Sequence, residues 1–289
     1  YLAYRELMRT VREHKAKSAS AVVLDVHTGE ILAMVNQPAY NPNGDKDGDQ
    51  SSRRNRAVTD VMEPGSTIKP FVVAAALEQG LVTPTTPIDT SPGTLAVGSN
   101  TVKDIHNYGR LDTTSVITKS SNVGVVKMAL RMKKETLWNL YDRVGFGKPT
   151  GVQFPGEETG RFRHFKRWSD FEYATQAFGY GLSVTPLQLA RAYSVLAADG
   201  LLKPISLLKV AQEPAGEQVL SAKTAREVRA MMETVVSPKG TAKQAVIEGY
   251  GVAGKTGTAK KSAGRGGYAA GRHQAGFAGL APAQAPPPP

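Results

Sequence analysis

The sequence predicts an α+β fold, with strand pattern at its two ends and helical pattern between them. Three observations carry this. SASAVVLDVHTGEILAMVNQP, residues 18–38, reads as two strands joined by a tight turn at His27-Thr28-Gly29. YGVAGKTGTAKK, from Tyr250, and HQAGFAGLA, from His273, read as two more strands. The stretch from Ser66 to Ala198 carries mostly helical spacing of apolar residues. With 289 residues and 40% hydrophobic content, the chain can bury a real core as one large bilobed domain or two ordinary ones.

In chain order, Leu2 to Glu13 reads as an amphipathic helix and is followed by the first hairpin. Asn41 to Asp60 is polar and rich in Gly, Asp, Ser and Arg, as a loop is. Pro64-Gly65 is a turn pair, and apolar residues from Ile68 through Leu77 propose a helix beginning at about Ser66. Gly145, Gly147, Pro149, Gly151, Pro155 and Gly160 punctuate the helical pattern. Apolar residues then alternate in KPISLLKVAQ, a strand-like run, and helix returns over Ala222 to Val236. No internal repeat is visible, and the tail APAQAPPPP is low-complexity.

Composition removes several classes of chemistry. There is no cysteine, which excludes disulfides, zinc–thiolate sites and cysteine nucleophiles. No run approaches the roughly 18 apolar residues of a membrane span, and Tyr1-Leu2-Ala3-Tyr4-Arg5 lacks the layout of a signal peptide. The formal charge of +11 favours an anionic neighbour, although solubility alone accounts for it equally well. Basic residues gather at Arg53, Arg54 and Arg56, at Arg161, Arg163, Lys166 and Arg167, and at Lys260, Lys261 and Arg265. In the second cluster Phe162, Phe165 and Trp168 alternate with the charges, a composition that suits base stacking. No nucleic-acid-binding module surrounds it, and charge runs are usually solvated faces, so no nucleic-acid partner is expected.

Ser66 and Lys69 stand at the start of the apolar segment from Ile68. Residues three apart share a helix face, so the Lys69 amine can reach the Ser66 hydroxyl. Free backbone N–H groups and the positive end of the helix dipole would stabilise negative charge developing there. A serine nucleophile needs a base, and an amine serves only when burial or another cation lowers its pKa. The pair alone is weak: a capping serine beside a solvated lysine gives the same pattern, and Ser206-Leu207-Leu208-Lys209 also matches it. Two further motifs add context. Ser120-Ser121-Asn122 precedes an apolar helix, and Lys255-Thr256-Gly257-Thr258 lies on a predicted strand. Each taken singly could be capping residues or a strand end, but in the order Ser-x-x-Lys, Ser-x-Asn, Lys-Thr-Gly they match the penicillin-recognising serine enzymes.

The chain resembles the transpeptidase domain of class B penicillin-binding proteins, most closely the division-specific, FtsI-like synthases of Gram-negative bacteria. The resemblance covers about residues 18–281 and rests on LDVHTGEILAMVNQPAYNPN, RNRAVTDVMEPGSTIKP, ITKSSNVG, VQFPGEETG, FGYGLSVTPLQLARAYSVLAADG and AGKTGTAKK. It implies an antiparallel sheet flanked by helices, built from about 18–40 and 245–281, and an all-helical subdomain from about 60–240. Together these form one domain over 1–281, with a Pro-rich tail at 282–289.

By the same resemblance, Ser66 is the acyl-accepting nucleophile and Lys69 its base. Ser120 relays a proton to the departing D-alanine, Asn122 holds the donor's amide, and Lys255 lies close to Ser120 and Lys69. Thr256 and Thr258 bind the substrate's terminal carboxylate, Gly257 lets it lie close along the strand, and the backbone N–H groups of Ser66 and Thr258 form the oxyanion hole. No metal or organic cofactor is implied. Expected partners are the D-alanyl-D-alanine stem peptides of peptidoglycan, β-lactams and other divisome proteins, at the periplasmic face of the inner membrane. A hydrolytic β-lactamase or a D,D-carboxypeptidase ranks lower: no Glu-x-x-Leu-Asn motif is present, and Glu157 and Glu158 are imperfect candidates for activating water. An inactive or scaffolding fragment is the remaining alternative. Relatives carry a membrane helix and a pedestal before this domain, and a further strand and closing helix after it. Without that strand, unpaired strand edges and uncovered apolar surface are expected to lower stability or promote aggregation.

Overall fold

The computed structural model describes residues 1–41, 43–44, 50–262 and 268–284. Helix α1 (Leu2–Glu13) lies on the surface along an antiparallel pair, β1 (Ala19–Leu24) and β2 (Ile31–Gln37), whose register runs from Ala19↔Gln37 to Leu24↔Ile31. The turn between these strands is closed by Asp25 Oδ1, which accepts the N–H groups of His27 and Thr28 at 2.8 Å. The polar stretch that follows is less irregular than its composition predicts, for it contains a 3₁₀ turn (Gln50–Arg53) and a short helix α2 (Arg56–Thr59). Asn36 fixes α2 to β2: its Oδ1 accepts Ala57 N–H at 2.9 Å, and its Nδ2 donates to Asn55 at 2.7 Å. Arg54 and Arg56 both pair with Asp60, which neutralises part of the first basic cluster locally.

Helix α3 (Lys69–Glu78) is the axis of the molecule, with every residue from Lys69 to Ala76 buried. The expected start at Ser66 is corrected. Gly65–Ile68 forms a 3₁₀ turn, and the α-helix begins at Lys69 with Pro70 in its first turn, where no backbone N–H is needed. The helical reading of 66–198 also missed four short strands. Strands β3 (Pro87–Asp89), β4 (Thr94–Val97), β5 (Asn100–Lys103) and β6 (Arg110–Asp112) form two ribbons, β3 with β6 and β4 with β5. Helices α4 (Thr113–Lys119), α5 (Asn122–Ala129) and α6 (Lys134–Arg143) follow. Next come α7 (Asp170–Gln176) and α8 (Pro186–Ala197), each opened by a capping box, Ser169 with Glu172 and Thr185 with Gln188. Phe71, Ile117, Met128, Tyr141, Phe146, Leu182 and Leu196 fill the core around α3.

Strands β7 (Leu201–Leu202) and β8 (Glu217–Gln218) precede α9 (Ala222–Glu233), which runs on as a 3₁₀ turn to Val236. KPISLLKVAQ is not a strand. Only Ser206 bridges to Glu30, while Lys203 turns inward to donate to His27 O at 2.9 Å and pair with Glu213. Strands β9 (Ala253–Ser262) and β10 (Tyr268–Leu280) form a long antiparallel pair, with Thr258 opposite Ala275 and Ala253 opposite Leu280. Among the described residues no strand joins β1–β2 to β9–β10; helix α8 packs against β1 and against β10.

The aromatic residues of RFRHFKRW face inward. Trp168 is buried, Phe162 stacks on Trp138 at 5.7 Å, and Phe165 packs on Trp138 at 5.9 Å, so their faces form no platform for bases. Arg163 pairs with Glu172. Lys260 and Lys261 lie on β9, whereas Arg265 and tail residues 285–289 lie outside the described residues.

Candidate active site

The turn carrying Ser66 is clamped from two sides. On one side Gly65 N–H donates to Gly179 O at 3.1 Å, and Gly181 N–H donates to the Glu63 carboxylate at 2.9 Å. Gly179 has φ +87°, and a Cβ there would stand 2.0 Å from Gly65 O. Only glycine allows both that conformation and that approach. On the other side lies β9, where a Cβ on Gly257 would stand 2.7 Å from the Thr67 methyl and 2.9 Å from Pro64 O. Beneath the turn, the buried Tyr193 hydroxyl of α8 donates to Thr67 O at 2.7 Å. Ser66 itself is partly exposed, so an incoming molecule can reach it.

Lys69, one turn further on, is completely buried. Its Nζ donates to Ser120 O at 2.5 Å, to Ser120 Oγ at 3.2 Å and to Asn122 Oδ1 at 2.7 Å. These acceptors use the three hydrogens of an ammonium, and none of the bonds goes to Ser66 Oγ, the partner expected from spacing. Lys255 approaches from β9, also fully buried, and donates to Ser120 Oγ at 2.9 Å and to Thr256 O at 3.2 Å. Ser120 thus sits between two lysines. It can do so because it ends α4 in the left-handed conformation, φ 60° and ψ 39°, which turns the chain between α4 and α5.

Burial, with the charge of Lys255 added, holds the Lys69 amine well below the ordinary lysine range, and Asp104 opposes that shift. Burial brings Lys255 down to about 7. Two ammonium groups sharing one serine hydroxyl in a desolvated pocket repel each other, so a proton leaves the pair near neutral pH. This supplies the basic amine that a serine nucleophile requires.

Asp104, which ends the β4–β5 ribbon, was not visible as a site residue in the sequence. Its carboxylate accepts Ser121 Oγ at 2.6 Å and the backbone N–H groups of Asn122 at 2.5 Å and Val123 at 3.1 Å. Ser121 in turn caps α5 by accepting Gly124 N–H at 2.8 Å, and Asn122 Nδ2 donates to Lys103 O at 2.9 Å. An aspartate after a strand is an ordinary turn signal, and no spacing rule ties it to a serine on a later helix. Thr256 and Thr258 lie outward on β9, flanking the buried Gly257, and Thr256 Oγ1 is 2.7 Å from the Thr241 hydroxyl, another residue the motifs left out. A Cβ on Gly65 would meet Thr258 O at 2.9 Å and Thr258 N at 3.5 Å, so the backbones expected to form the oxyanion hole are neighbours.

Lys69, Ser120, Asn122 and Lys255 therefore form one hydrogen-bonded cluster, with Ser66 on the turn leading into it and Thr256 to Thr258 along its edge. The look-alike pair stays apart: Ser206 Oγ bonds the backbone of Leu208, and Lys209 is exposed. Glu157 is committed elsewhere, its carboxylate accepting the N–H and hydroxyl of Thr150.

The model of the penicillin binding protein transpeptidase domain matches residues 19–287. The probable peptidoglycan D,D-transpeptidase PenA of Neisseria gonorrhoeae is 46% identical over 285 residues, covering 99% of this chain and 48% of that protein. The peptidoglycan D,D-transpeptidase FtsI of Escherichia coli K12 gives the same identity and the same coverage, 46%, 99% and 48%. The apo structure of the TP domain from Burkholderia pseudomallei penicillin-binding protein 3 superposes with a TM-score of 0.90 at 45% identity, covering 98% of this chain and 81% of that one. The chain spans about half the length of these curated relatives.

Proposed function

We propose that this chain, which belongs to the penicillin-binding protein transpeptidase domain family, is the catalytic part of a serine D,D-transpeptidase that cross-links peptidoglycan stem peptides. The observation that carries the reading is the cluster in which Lys69 and Lys255 share Ser120 Oγ beside the Ser66 turn. In this reading neutral Lys69 takes the Ser66 proton as Oγ attacks the carbonyl of the penultimate D-alanine. The carbonyl oxygen becomes an oxyanion between the N–H groups of Ser66 and Thr258, an arrangement typically worth about a hundredfold or more in rate. The C–N bond then breaks, and the departing D-alanine nitrogen receives a proton through Ser120. An amine from a second stem attacks the acyl-enzyme, loses its proton to the same relay and frees Ser66. Asn122 holds the donor amide, while Thr256 and Thr258 meet the terminal carboxylate. A β-lactam enters as a donor whose leaving group stays tethered.

Hydrolysis as the main outcome is disfavoured because Glu157 Oε1 is already taken by the N–H and hydroxyl of Thr150. The same reading divides the domain into hairpins from about 18–40 and 245–281 and a helical part from about 60–240. By resemblance to the division-specific members of the family, it also puts the protein at the periplasmic face of the inner membrane, in septal wall synthesis with divisome partners. The test supplies a D-alanyl-D-alanine donor peptide and an acceptor carrying a free amine, and follows D-alanine and cross-linked product together. Equal amounts of both, lost in Ser66→Ala, are expected; D-alanine release without product at saturating acceptor would overturn transfer in favour of hydrolysis.

A further inference from the structure

Thr241 lies on the loop between the 3₁₀ turn Thr234–Val236 and β9, outside every motif read from the sequence, yet its hydroxyl is 2.7 Å from Thr256 Oγ1. The loop is fastened rather than free. Thr234 Oγ1 bonds Thr118 Oγ1 on α4, Lys119 Nζ donates to Lys239 O at 3.0 Å, and the buried Ala242 donates its N–H to Val235 O at 2.9 Å. Thr241 is therefore held against β9 by the last turn of the helix that ends in Ser120.

A threonine hydroxyl has one proton and two lone pairs, so only one member of this pair can donate to the other. If Thr256 donates, it turns lone pairs toward an approaching anion and repels it. If Thr241 donates, the Thr256 proton is free for the anion, and the bond Thr256 accepts makes it a stronger donor. A carboxylate at Thr256 selects the second arrangement; a neutral group has no such requirement. We propose that Thr241 is a positioning residue for donor specificity, fixing the Thr256 hydroxyl as a donor so that the site favours acyl donors ending in a carboxylate. This inference rests on the reading of Thr256 as a carboxylate-binding residue.

The test compares acylation of Ser66, followed by intact mass, for two thioester donors. One ends in a free carboxylate and the other in a primary amide at the same position. Thr241 is exposed, so Thr241→Val is expected to keep the wild-type unfolding midpoint. Loss of one hydrogen bond that serves a charged group predicts about a tenfold slower acylation by the carboxylate donor. The amide donor should be unaffected and Thr241→Ser should restore the rate. Equal slowing of both donors, or of neither, would overturn the proposal. Thr256→Val separates the two readings: if it discriminates between the donors and Thr241→Val does not, only the role of Thr241 fails. If Thr256→Val does not discriminate, the carboxylate reading of Thr256 fails and takes this inference with it.

Discussion

At the scale of single residues, the proposed mechanism makes the two buried lysines the groups that set the pH at which the site works. Both amines are held below the ordinary lysine range, so the deprotonated form that the proposed mechanism requires gains as pH rises, and acylation should climb with pH on a limb below that range. The neighbours of Lys69 pull in opposite directions. Lys255→Met removes a repelling cation, raises the Lys69 pKa and moves that limb to higher pH. Asp104→Asn removes an attracting anion and moves it lower. Rates of acylation measured across pH on the three proteins check the pair of shifts, and two shifts of the same sign would refute the electrostatic account. The same depression has a stability sign. The unfolded chain keeps these lysines protonated up to about pH 10.4, while the folded chain releases a proton near 7, so stability rises with pH between those values. Lys255 contributes a slope of about 1 kcal/mol per pH unit in that window, and Lys255→Met should flatten it in urea titrations.

Among the elements, the 3₁₀ turn at Gly65–Ile68 is the one whose position matters most, and close backbone approach at Gly179 and Gly257 is part of what holds it. Gly179→Ala would place a methyl 2.0 Å from Gly65 O at φ +87°. The turn or the 179–181 segment must then move, with an expected loss of about 3 kcal/mol and of acylation together. Gly276→Ala on β10 meets nothing within 4 Å and serves as the comparison, with a cost below about 1 kcal/mol. Urea unfolding of both variants checks the difference; equal costs would mean that the clamp is not what holds the turn. The hairpins at both ends and helix α9 were legible in the sequence from their apolar patterning, and α3 from a continuous apolar run following the Pro64-Gly65 turn. The ribbons β3–β6 and β4–β5 were not, since strands of three or four residues carry too few alternations. KPISLLKVAQ erred in the other direction: Ile205 is buried but Leu207 and Leu208 are exposed, so the alternation reports no packed face.

For the whole molecule, Lys69, Ser120, Asn122 and Lys255 were legible because their chemistry is local to three short motifs, and the fold had only to bring the motifs together. It does so through groups without a motif of their own. Asp104 anchors Ser121 and Asn122, Tyr193 supports the Ser66 turn from α8, and Thr241 faces Thr256 from the loop before β9. Each acts across a long separation in the chain through one hydroxyl or carboxylate, which composition and period cannot register. The bond expected between Lys69 and Ser66 was missed for the converse reason: spacing shows which side chains can meet, while Ser120 and Asn122 compete for the same amine.

Whether Ser66 is the nucleophile of an assembled site is read from intact-protein mass after incubation with a penicillin, beside Ser66→Ala. One covalent adduct with the full mass of the penicillin, stable over the incubation and absent from the variant, is expected. An unmodified mass from folded protein, or an adduct that persists in Ser66→Ala, would contradict that role for Ser66.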